Sequence, residues 1–198
     1  MAGRRRDTQT PLRIRLVQQA SELTSNEGWS AVTMARLAEV VGVSRQTVYN
    51  EVGGKPALAE AMVLHELALF LGQVDDAFAT NLDVVDAIRA ASRGVLETAR
   101  TNPLLRAILS ASHGAGTDLL PLLTTHSEAL LETATTVIRG HLDRFDLDIE
   151  GTQLDVGIDM VVRLVLSHVM QPGDSPARTA DDIAWIADQV LRPAPAPA

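Results

Sequence analysis

Apolar residues recur at helical spacing along almost the whole chain of 198 residues. Leu12, Leu16, Ala20 and Leu23 stand at i, i+4, i+8 and i+11, which marks one face of a first helix. The alternation of apolar and polar residues that is typical of a half-buried strand is missing. The sequence therefore predicts an all-α fold of about nine helices, over 12–27, 34–41, 45–50, 56–79, 84–101, 103–112, 118–145, 152–170 and 178–191.

Two properties of the sequence narrow the class of protein. The chain has no cysteine, which excludes disulfide bonds, thiolate chemistry and cysteine-ligated zinc. The basic N-terminus is followed by LRIRLVQQASEL, where polar residues interrupt the apolar ones. No stretch reaches the ~18 to 20 uninterrupted apolar residues of a membrane span. We therefore expect a cytoplasmic protein with no signal peptide and no membrane partner.

Charge is divided unevenly along the chain, whose net charge is −8. Residues 1–55 carry eight Arg or Lys against five acidic residues, a net charge of +3. Residues 56–198 carry nine Arg against twenty acidic residues, a net charge of −11. A cationic N-terminal part suits contact with nucleic acid, whereas phosphates would repel the acidic remainder.

A short helix, a tight turn and a second short helix follow one another from residue 33. Thr33 is a candidate N-cap for the first helix and Ser44 for the second, and Gly42 suits the positive φ of the turn. Apolar residues of both helices can pack together, which leaves the polar side chains of the second helix facing outward. This arrangement predicts a helix-turn-helix DNA-binding unit.

The outward-facing residues have the chemistry needed to read DNA. Arg45 can form two hydrogen bonds with guanine, and Gln46 or Asn50 can do the same with adenine. Lys55 opens the next helix, where backbone N–H groups also favour an anion. The predicted DNA contacts are Thr33, Arg36, Ser44, Arg45, Gln46, Thr47, Tyr49, Asn50 and Lys55, with the basic arm Arg4, Arg5 and Arg6. The alternative interpretation is an ordinary solvated helix and turn.

Residues 33–58, TMARLAEVVGVSRQTVYNEVGGKPAL, resemble the DNA-binding domain of the TetR family of bacterial repressors. The resemblance covers about residues 12–60 and rests on Thr33, Ala38, Gly42-Val43-Ser44, Tyr49 and Lys55. Val52 stands where the family usually has Phe, so we expect looser packing there. SRQTVYNEVGGK, followed by LLPLLTT at 119–125, is similar to an actinobacterial subgroup near alkane- or lipid-oxidation genes.

The resemblance implies a homodimer whose two heads read a palindromic operator in double-stranded DNA. It also implies a second domain that binds an effector and dimerises through long helices, here part of 127–145 with 152–170 or 178–191. Effector binding would favour a head spacing that no longer fits the DNA. We therefore expect a ligand-responsive repressor with an arm and helix-turn-helix domain over 1–55, a helical ligand-binding and dimerisation domain over 56–192, and a disordered tail over 193–198.

The second domain is rich in aliphatic residues and poor in aromatic ones, which suits a small hydrophobic effector such as a fatty acid or an acyl thioester. Its candidate polar ligand contacts are Arg163, Ser167, His168, His126 and His113. The alternative for Arg163 is an ion pair with Asp159 at i, i+4, or a place in the dimer interface. The alternative for His113 and His126 is an ordinary surface loop.

Motifs for catalysis and for metal binding are missing. Gly53-Gly54-Lys55 lacks the first glycine and the spacing of a phosphate-binding loop, and Ser44 and Ser167 lack the context of a nucleophile elbow. No two histidines stand at i, i+3 or i, i+4. We expect no enzyme activity, no metal and no cofactor. The competing hypothesis is a helical small-molecule carrier or partner-binding protein with a vestigial DNA-binding head.

Overall fold

The computed structural model describes residues 10–110, 128–173 and 175–191. This part of the chain forms nine α-helices and no strand, which confirms the all-α prediction. The helices are α1 (Leu12–Glu27), α2 (Met34–Val41), α3 (Arg45–Val52), α4 (Lys55–Thr80), α5 (Val84–Thr101), α6 (Pro103–Ser110), α7 (Glu128–Leu142), α8 (Gly151–Met170) and α9 (Pro176–Leu191). A short 3-10 turn, Trp29–Ala31, joins α1 to α2. The arm 1–9, the predicted start of helix 118–145 and the tail lie outside the described residues.

The helix-turn-helix caps form as the sequence predicts. The Thr33 hydroxyl accepts a hydrogen bond from the backbone N–H of Arg36 at 3.1 Å, and the Ser44 hydroxyl accepts one from the N–H of Thr47 at 3.0 Å. Gly42 ends α2 in the left-handed region, at φ 76° and ψ 38°. Thr33 and Gly42 thus set where α2 begins and ends, and Ser44 sets where α3 begins.

The head, which we define as α1 to α3 with the first two turns of α4, has a closed apolar core. Leu16, Leu37, Val48 and Leu58 are fully buried at its centre. Val52 is also buried in this core, although it is smaller than the Phe that the family usually has.

The head's core does not end at the expected boundary between residues 55 and 56. It continues along α4 to Met62 and takes in Leu104 and Ile108 from α6. The head and the second domain therefore share two helices.

The second domain is built on α4 and α5, which pack against each other along their lengths, with α9 on the other side of α5. Its main core joins the distal end of α4, at Val74 and Phe78, to α5, α7, α8 and α9. By length and composition alone α4 would suffice to cross a membrane, with a mean hydropathy of 1.4 over its most apolar window. A helix that crosses the core of a globular protein passes the same test, and both ends of α4 lie in such cores.

Candidate DNA-binding face and apolar cavity

The exposed face of α3 carries two polar pairs, each at i, i+4. The Arg45 guanidinium donates to the Tyr49 hydroxyl at 3.3 Å and lies 5.5 Å from the centroid of the Tyr49 ring. Gln46 Nε2 donates to Asn50 Oδ1 at 3.0 Å. All four side chains are exposed, while Val48 faces the core. The helix therefore presents both hydrogen-bond donors and hydrogen-bond acceptors on one exposed surface.

The cations beside this face are already held by protein groups. Arg36 forms an ion pair with Glu27 at 2.5 Å. Lys55 Nζ donates to the backbone carbonyl of Trp29 at 2.9 Å and lies 4.6 Å from the centroid of the indole ring. An ammonium has three N–H donors, so this bond leaves Lys55 two for another acceptor such as a phosphate.

The other residues predicted to contact DNA either lie at the N-terminus of a helix or fall outside the described residues. Ser44 and Thr47 hydrogen-bond to each other through their hydroxyls at 2.8 Å, at the N-terminus of α3. Thr33 occupies the corresponding position on α2. Arg4, Arg5 and Arg6 lie outside the described residues.

Two arginines that the sequence analysis left without a role hold the helices of the head together. Arg13, on α1, donates from Nη1 to the backbone carbonyl of Glu51 near the end of α3. Arg15 donates from Nη2 to the carbonyl of Val41, at the end of α2, at 3.3 Å. A cation at a helix C-terminus satisfies a free carbonyl and complements the helix dipole. The cationic charge of α1 was the available signal, but these partners lie 38 and 26 residues away.

The second domain contains an apolar cavity of about 150 Å³ between α4, α5, α6, α7 and α8. Its walls are aliphatic, with Phe70 and Phe78 from α4. Glu66 and Ser92 are the polar residues of the described lining. Glu66 Oε2 accepts a hydrogen bond from Asn102 Nδ2 at 2.6 Å. The sequence analysis missed Glu66, although a charged residue within the apolar stretch of α4 is a signal that could have found it.

The predicted ligand contacts on α8 lie away from this cavity. Arg163 and Ser167 are exposed, and neither lines the cavity. Arg163 Nε donates to Asp159 Oδ2 at 2.7 Å, which confirms the pairing expected at i, i+4. That hydrogen bond, and then the attraction of the carboxylate charge, raises the pKa of Arg163 above its usual value.

The three histidines that were predicted to contact a ligand do not come together in the described residues. His168 is half-buried and lines a separate small pocket of about 20 Å³ beside Leu96 and Ala99. His113 and His126 lie outside the described residues. Within residues 10–110, 128–173 and 175–191 no cluster of three or more His, Asp or Glu could hold a metal ion.

A second apolar surface lies on the outside of the same domain. We call it the α8–α9 face; it is an open groove of about 510 Å³ lined mainly by residues of these two helices. Val156 and Met160 on α8 are more than half exposed, and Ile186 and Val190 on α9 are more than a third exposed. Exposed apolar side chains grouped in this way are typical of an interaction site.

A capped helix that presents a polar reading face, joined by a shared helix to a domain with an apolar cavity, defines a transcriptional regulator of the helix-turn-helix class. The profile "Bacterial regulatory proteins, tetR family" matches residues 16–62. The profile "Bacterial Tetracyclin repressor, C-terminal domain" matches residues 83–189, more than half of the chain. The chain belongs to the TetR family of transcriptional regulators, and it is not an enzyme.

Known relatives agree with this assignment. The chain is 28% identical over 176 residues to the HTH-type transcriptional regulator AlkX of Mycobacterium tuberculosis, which covers 87% of this chain and 82% of the relative. The crystal structure of the TetR family repressor AlkX from Dietzia sp., implicated in biodegradation of n-alkanes, is similar with a TM-score of 0.74 and 28% identity, covering 91% of this chain and 96% of that one.

A more distant structure shows the fold alone. FadR of Thermus thermophilus, a TetR family transcriptional repressor solved in complex with lauroyl-CoA, matches with a TM-score of 0.62 and 22% identity. The match covers 94% of this chain and 99% of that one.

Proposed function

We propose that the protein is a cytoplasmic homodimeric repressor that binds a palindromic operator and leaves it when a small hydrophobic effector binds. The observation that carries this proposal is the course of α4. The helix begins at Lys55, beside the reading helix, and continues along the cavity to Phe78. One rigid element thus belongs to both sites, so a change at the cavity can move the head.

In the proposed complex, α3 lies in the major groove of double-stranded DNA. Arg45, Gln46 and Asn50 contact base edges, while Tyr49 and the two remaining donors of Lys55 contact phosphates. The acidic second domain is repelled by those phosphates, which weakens non-specific binding. Two heads about 34 to 36 Å apart would reach successive major grooves on one side of the duplex.

The helix α6 offers a second connection between the cavity and the head. Leu104 and Ile108 belong to the head's core, whereas Leu105 between them lines the cavity. A ligand that displaces Leu105 must therefore move a helix on which the head is packed. Such a ligand shifts the equilibrium only as far as it binds one arrangement better than the other.

The α8–α9 face supports the proposed dimer. Two copies related by a two-fold axis can pack these helices as a four-helix bundle and cover Val156, Met160 and Val190. A charged side chain at the centre of the α8–α9 face would then be buried in the dimer without a partner of opposite charge. Met160→Glu should therefore produce a monomer in sedimentation analysis, whereas Gln153→Glu at the rim of the groove should leave the dimer intact.

The lining of the cavity supports an effector of alkyl or acyl type. Aliphatic walls remove a hydrocarbon chain from water and offer few partners to a polar molecule. The similarity to the Dietzia AlkX repressor, which is implicated in biodegradation of n-alkanes, points to the same range of compounds. Fatty acids, acyl thioesters and their precursors are the candidates within that range.

The test begins with selection of bound duplexes from a randomised pool, followed by fluorescence anisotropy on the enriched site and on a scrambled duplex. We expect a palindromic site whose affinity falls steeply as salt rises, with a slope of about −0.9 per phosphate neutralised. Addition of a long-chain acyl compound or its neutral analogue should release the DNA.

The competing function, a carrier with a vestigial head, gives a different outcome in the same experiment. Such a protein would bind the hydrophobic compound but would enrich no sequence from the pool. Enrichment without release by any alkyl compound would keep the regulator and reject this class of effector.

A further inference from the structure

The exposed face of α3 carries the only tyrosine of the chain, and this side chain is paired with an arginine one turn earlier. The Arg45 guanidinium donates from Nη2 to the Tyr49 hydroxyl at 3.3 Å, and its central carbon lies 5.5 Å from the centroid of the Tyr49 ring. Side chains on a helix lean towards its N-terminus, so the ring of Tyr49 extends back over the turn that carries Arg45. A hydrogen bond and a cation–π contact thus hold the guanidinium against one side chain.

The bond to Tyr49 leaves Arg45 able to bind a guanine. A guanidinium has five N–H donors, and they include two parallel pairs, one of Nη1 with Nη2 and one of Nε with Nη2. Nη2 contributes one N–H to each pair, so the bond to the Tyr49 hydroxyl occupies one pair and leaves the other intact. Two parallel donors are what the O6 and N7 acceptors of guanine require. Arg45 can therefore bond to Tyr49 and to a base at the same time.

The Tyr49 hydroxyl can likewise serve two partners. Its oxygen accepts from Arg45, which does not use its O–H. The residue is 40% exposed, so a DNA phosphate can approach the hydroxyl from solvent. A phosphate that accepts the O–H polarises the hydroxyl and strengthens its bond to the guanidinium. Phosphate, hydroxyl and guanidinium would then form one chain of hydrogen bonds that ends at a base.

Holding Arg45 in place before DNA arrives favours both affinity and specificity. A free arginine side chain has many rotamers, and the entropy that it loses when it is fixed opposes binding. Arg45 is exposed, yet its contacts with Tyr49 already restrict it in the absence of DNA. Part of the entropy is therefore lost on folding. The same restriction disfavours any base that needs a different orientation of the guanidinium.

We infer that Tyr49 is a positioning residue for sequence recognition, which holds Arg45 in the orientation that it uses on guanine, in addition to its contact with a phosphate. The inference rests on the proposed function, in which α3 lies in the major groove. It assigns part of the base discrimination of Arg45 to a residue that touches no base. A tyrosine that contacted only a phosphate would instead affect every duplex alike.

The first test needs no DNA, because a single tyrosine gives an unambiguous spectroscopic signal. The intensity ratio of the tyrosine Fermi doublet in the Raman spectrum depends on the hydrogen bonding of the phenolic oxygen. We expect the free protein to give the high ratio of a hydroxyl that accepts from a cation, and Arg45→Ala to lower it. Gln46→Ala is the matched control, because Gln46 bonds to Asn50 on the same helix, so this variant should leave the ratio unchanged.

The second test measures base discrimination by anisotropy on the duplex enriched from the randomised pool. Arg45→Ala identifies the base pair that Arg45 reads, as the position where discrimination falls. Tyr49→Phe keeps the ring and removes the hydroxyl, so it should lower discrimination at that base pair by about two- to tenfold, the range that one hydrogen bond contributes. The other base pairs of the half-site are the internal control and should be read as before. The salt slope should also be unchanged, since the hydroxyl carries no charge.

A double-mutant cycle separates the positioning role from the phosphate contact. In the Arg45→Ala background, Tyr49→Phe should have no further effect on discrimination at that base pair, because no guanidinium is left to hold. It should still lower the affinity for the cognate and the scrambled duplex by the same factor, through the lost bond to phosphate.

Two outcomes would overturn this inference and keep the proposed function. Equal Raman ratios for the unmodified protein and Arg45→Ala would show that the hydroxyl does not accept from Arg45. A loss of affinity in Tyr49→Phe that is the same at every base pair, with circular dichroism showing a folded variant, would leave Tyr49 with the phosphate alone. A protein that enriches no duplex would overturn the proposed function and this inference together, because Arg45 would then read no base.

Discussion

The head and the second domain use the same aliphatic residues in different ways. In the head, Leu16, Leu37 and Leu58 are fully buried in a closed core, and the outward surface is polar. In the second domain similar residues form a core, the wall of a cavity and the exposed α8–α9 face. The head has to hold one shape so that α3 meets DNA in a fixed orientation. The second domain has to admit a ligand and, in our proposal, a second copy of itself.

The largest effect that separates the two regions should come from truncating a leucine in each. Leu37→Ala leaves a void in the closed core of the head and should lower the free energy of unfolding by about 2 to 5 kcal/mol. Leu67→Ala, in the wall of the cavity, removes a side chain that is partly exposed and already borders open space, so the loss should be about 1 kcal/mol. Urea denaturation of both variants measures the difference.

A large loss for Leu67→Ala, equal to that of Leu37→Ala, would mean that the cavity wall is packed as tightly as the head. Leu71→Ala, at another position of the wall, serves as the check that the result does not depend on one site.

We expect the residues of the reading face to form two groups, those that determine sequence specificity and those that contribute only to the affinity for DNA. Arg45→Ala should reduce discrimination at one base pair by about 1 to 3 kcal/mol, because a bidentate contact with guanine is lost. Lys55→Ala should weaken cognate and scrambled duplexes alike and lower the salt slope by about 0.9. Anisotropy on both duplexes across a salt series measures these effects.

Since Lys55 also bonds to the carbonyl of Trp29, its variant needs a check of folding by circular dichroism before DNA binding is compared. Indistinguishable behaviour of the two variants on the two duplexes would show that the roles assigned to Arg45 and Lys55 are wrong.

The contrast between the regions also explains what the sequence could reveal. Thr33, Gly42 and Ser44 were predictable because a cap or a turn is decided within three or four residues of the chain. The bonds from Arg13 to Glu51 and from Lys55 to Trp29 were not, because they join residues 38 and 26 positions apart. Local chemistry is readable from sequence, whereas contacts that depend on folding are not.

In the second domain the sequence did not show which apolar residues would lie in the core, in the cavity wall or on the surface. Val162 lies in the core and in the cavity wall, while Val156, on the same helix, is exposed on the α8–α9 face. Helical spacing places both on an apolar helix but does not say what each one faces. For the same reason Glu66 was overlooked, since its partner Asn102 lies 36 residues further along the chain.

A smaller effect should come from the turn of the head. Gly42 has a φ of 76°, and a Cβ at this position would meet no other atom within 4 Å. Gly42→Ala should therefore cost about 1 to 2 kcal/mol of stability from backbone strain alone, because an L side chain is disfavoured in the left-handed region. Gly72→Ala is the matched control: it also has open space around it, but it lies within α4, so it should stabilise by about 0.5 to 1 kcal/mol. Equal effects of the two substitutions in urea denaturation would contradict this account.

The smallest effect is expected at the exposed ion pair of Asp159 and Arg163 on α8. The side chain of Arg163 is 56% exposed, and the pair is formed at 2.7 Å within one helix, where water and salt screen it. Arg163→Gln should leave the unfolding midpoint indistinguishable from that of the unmodified protein. Asp159→Asn, which removes the other half of the pair, should behave in the same way. If Arg163→Gln alone lowered the unfolding midpoint, the guanidinium would have to make a stabilising contact beyond its pair with Asp159.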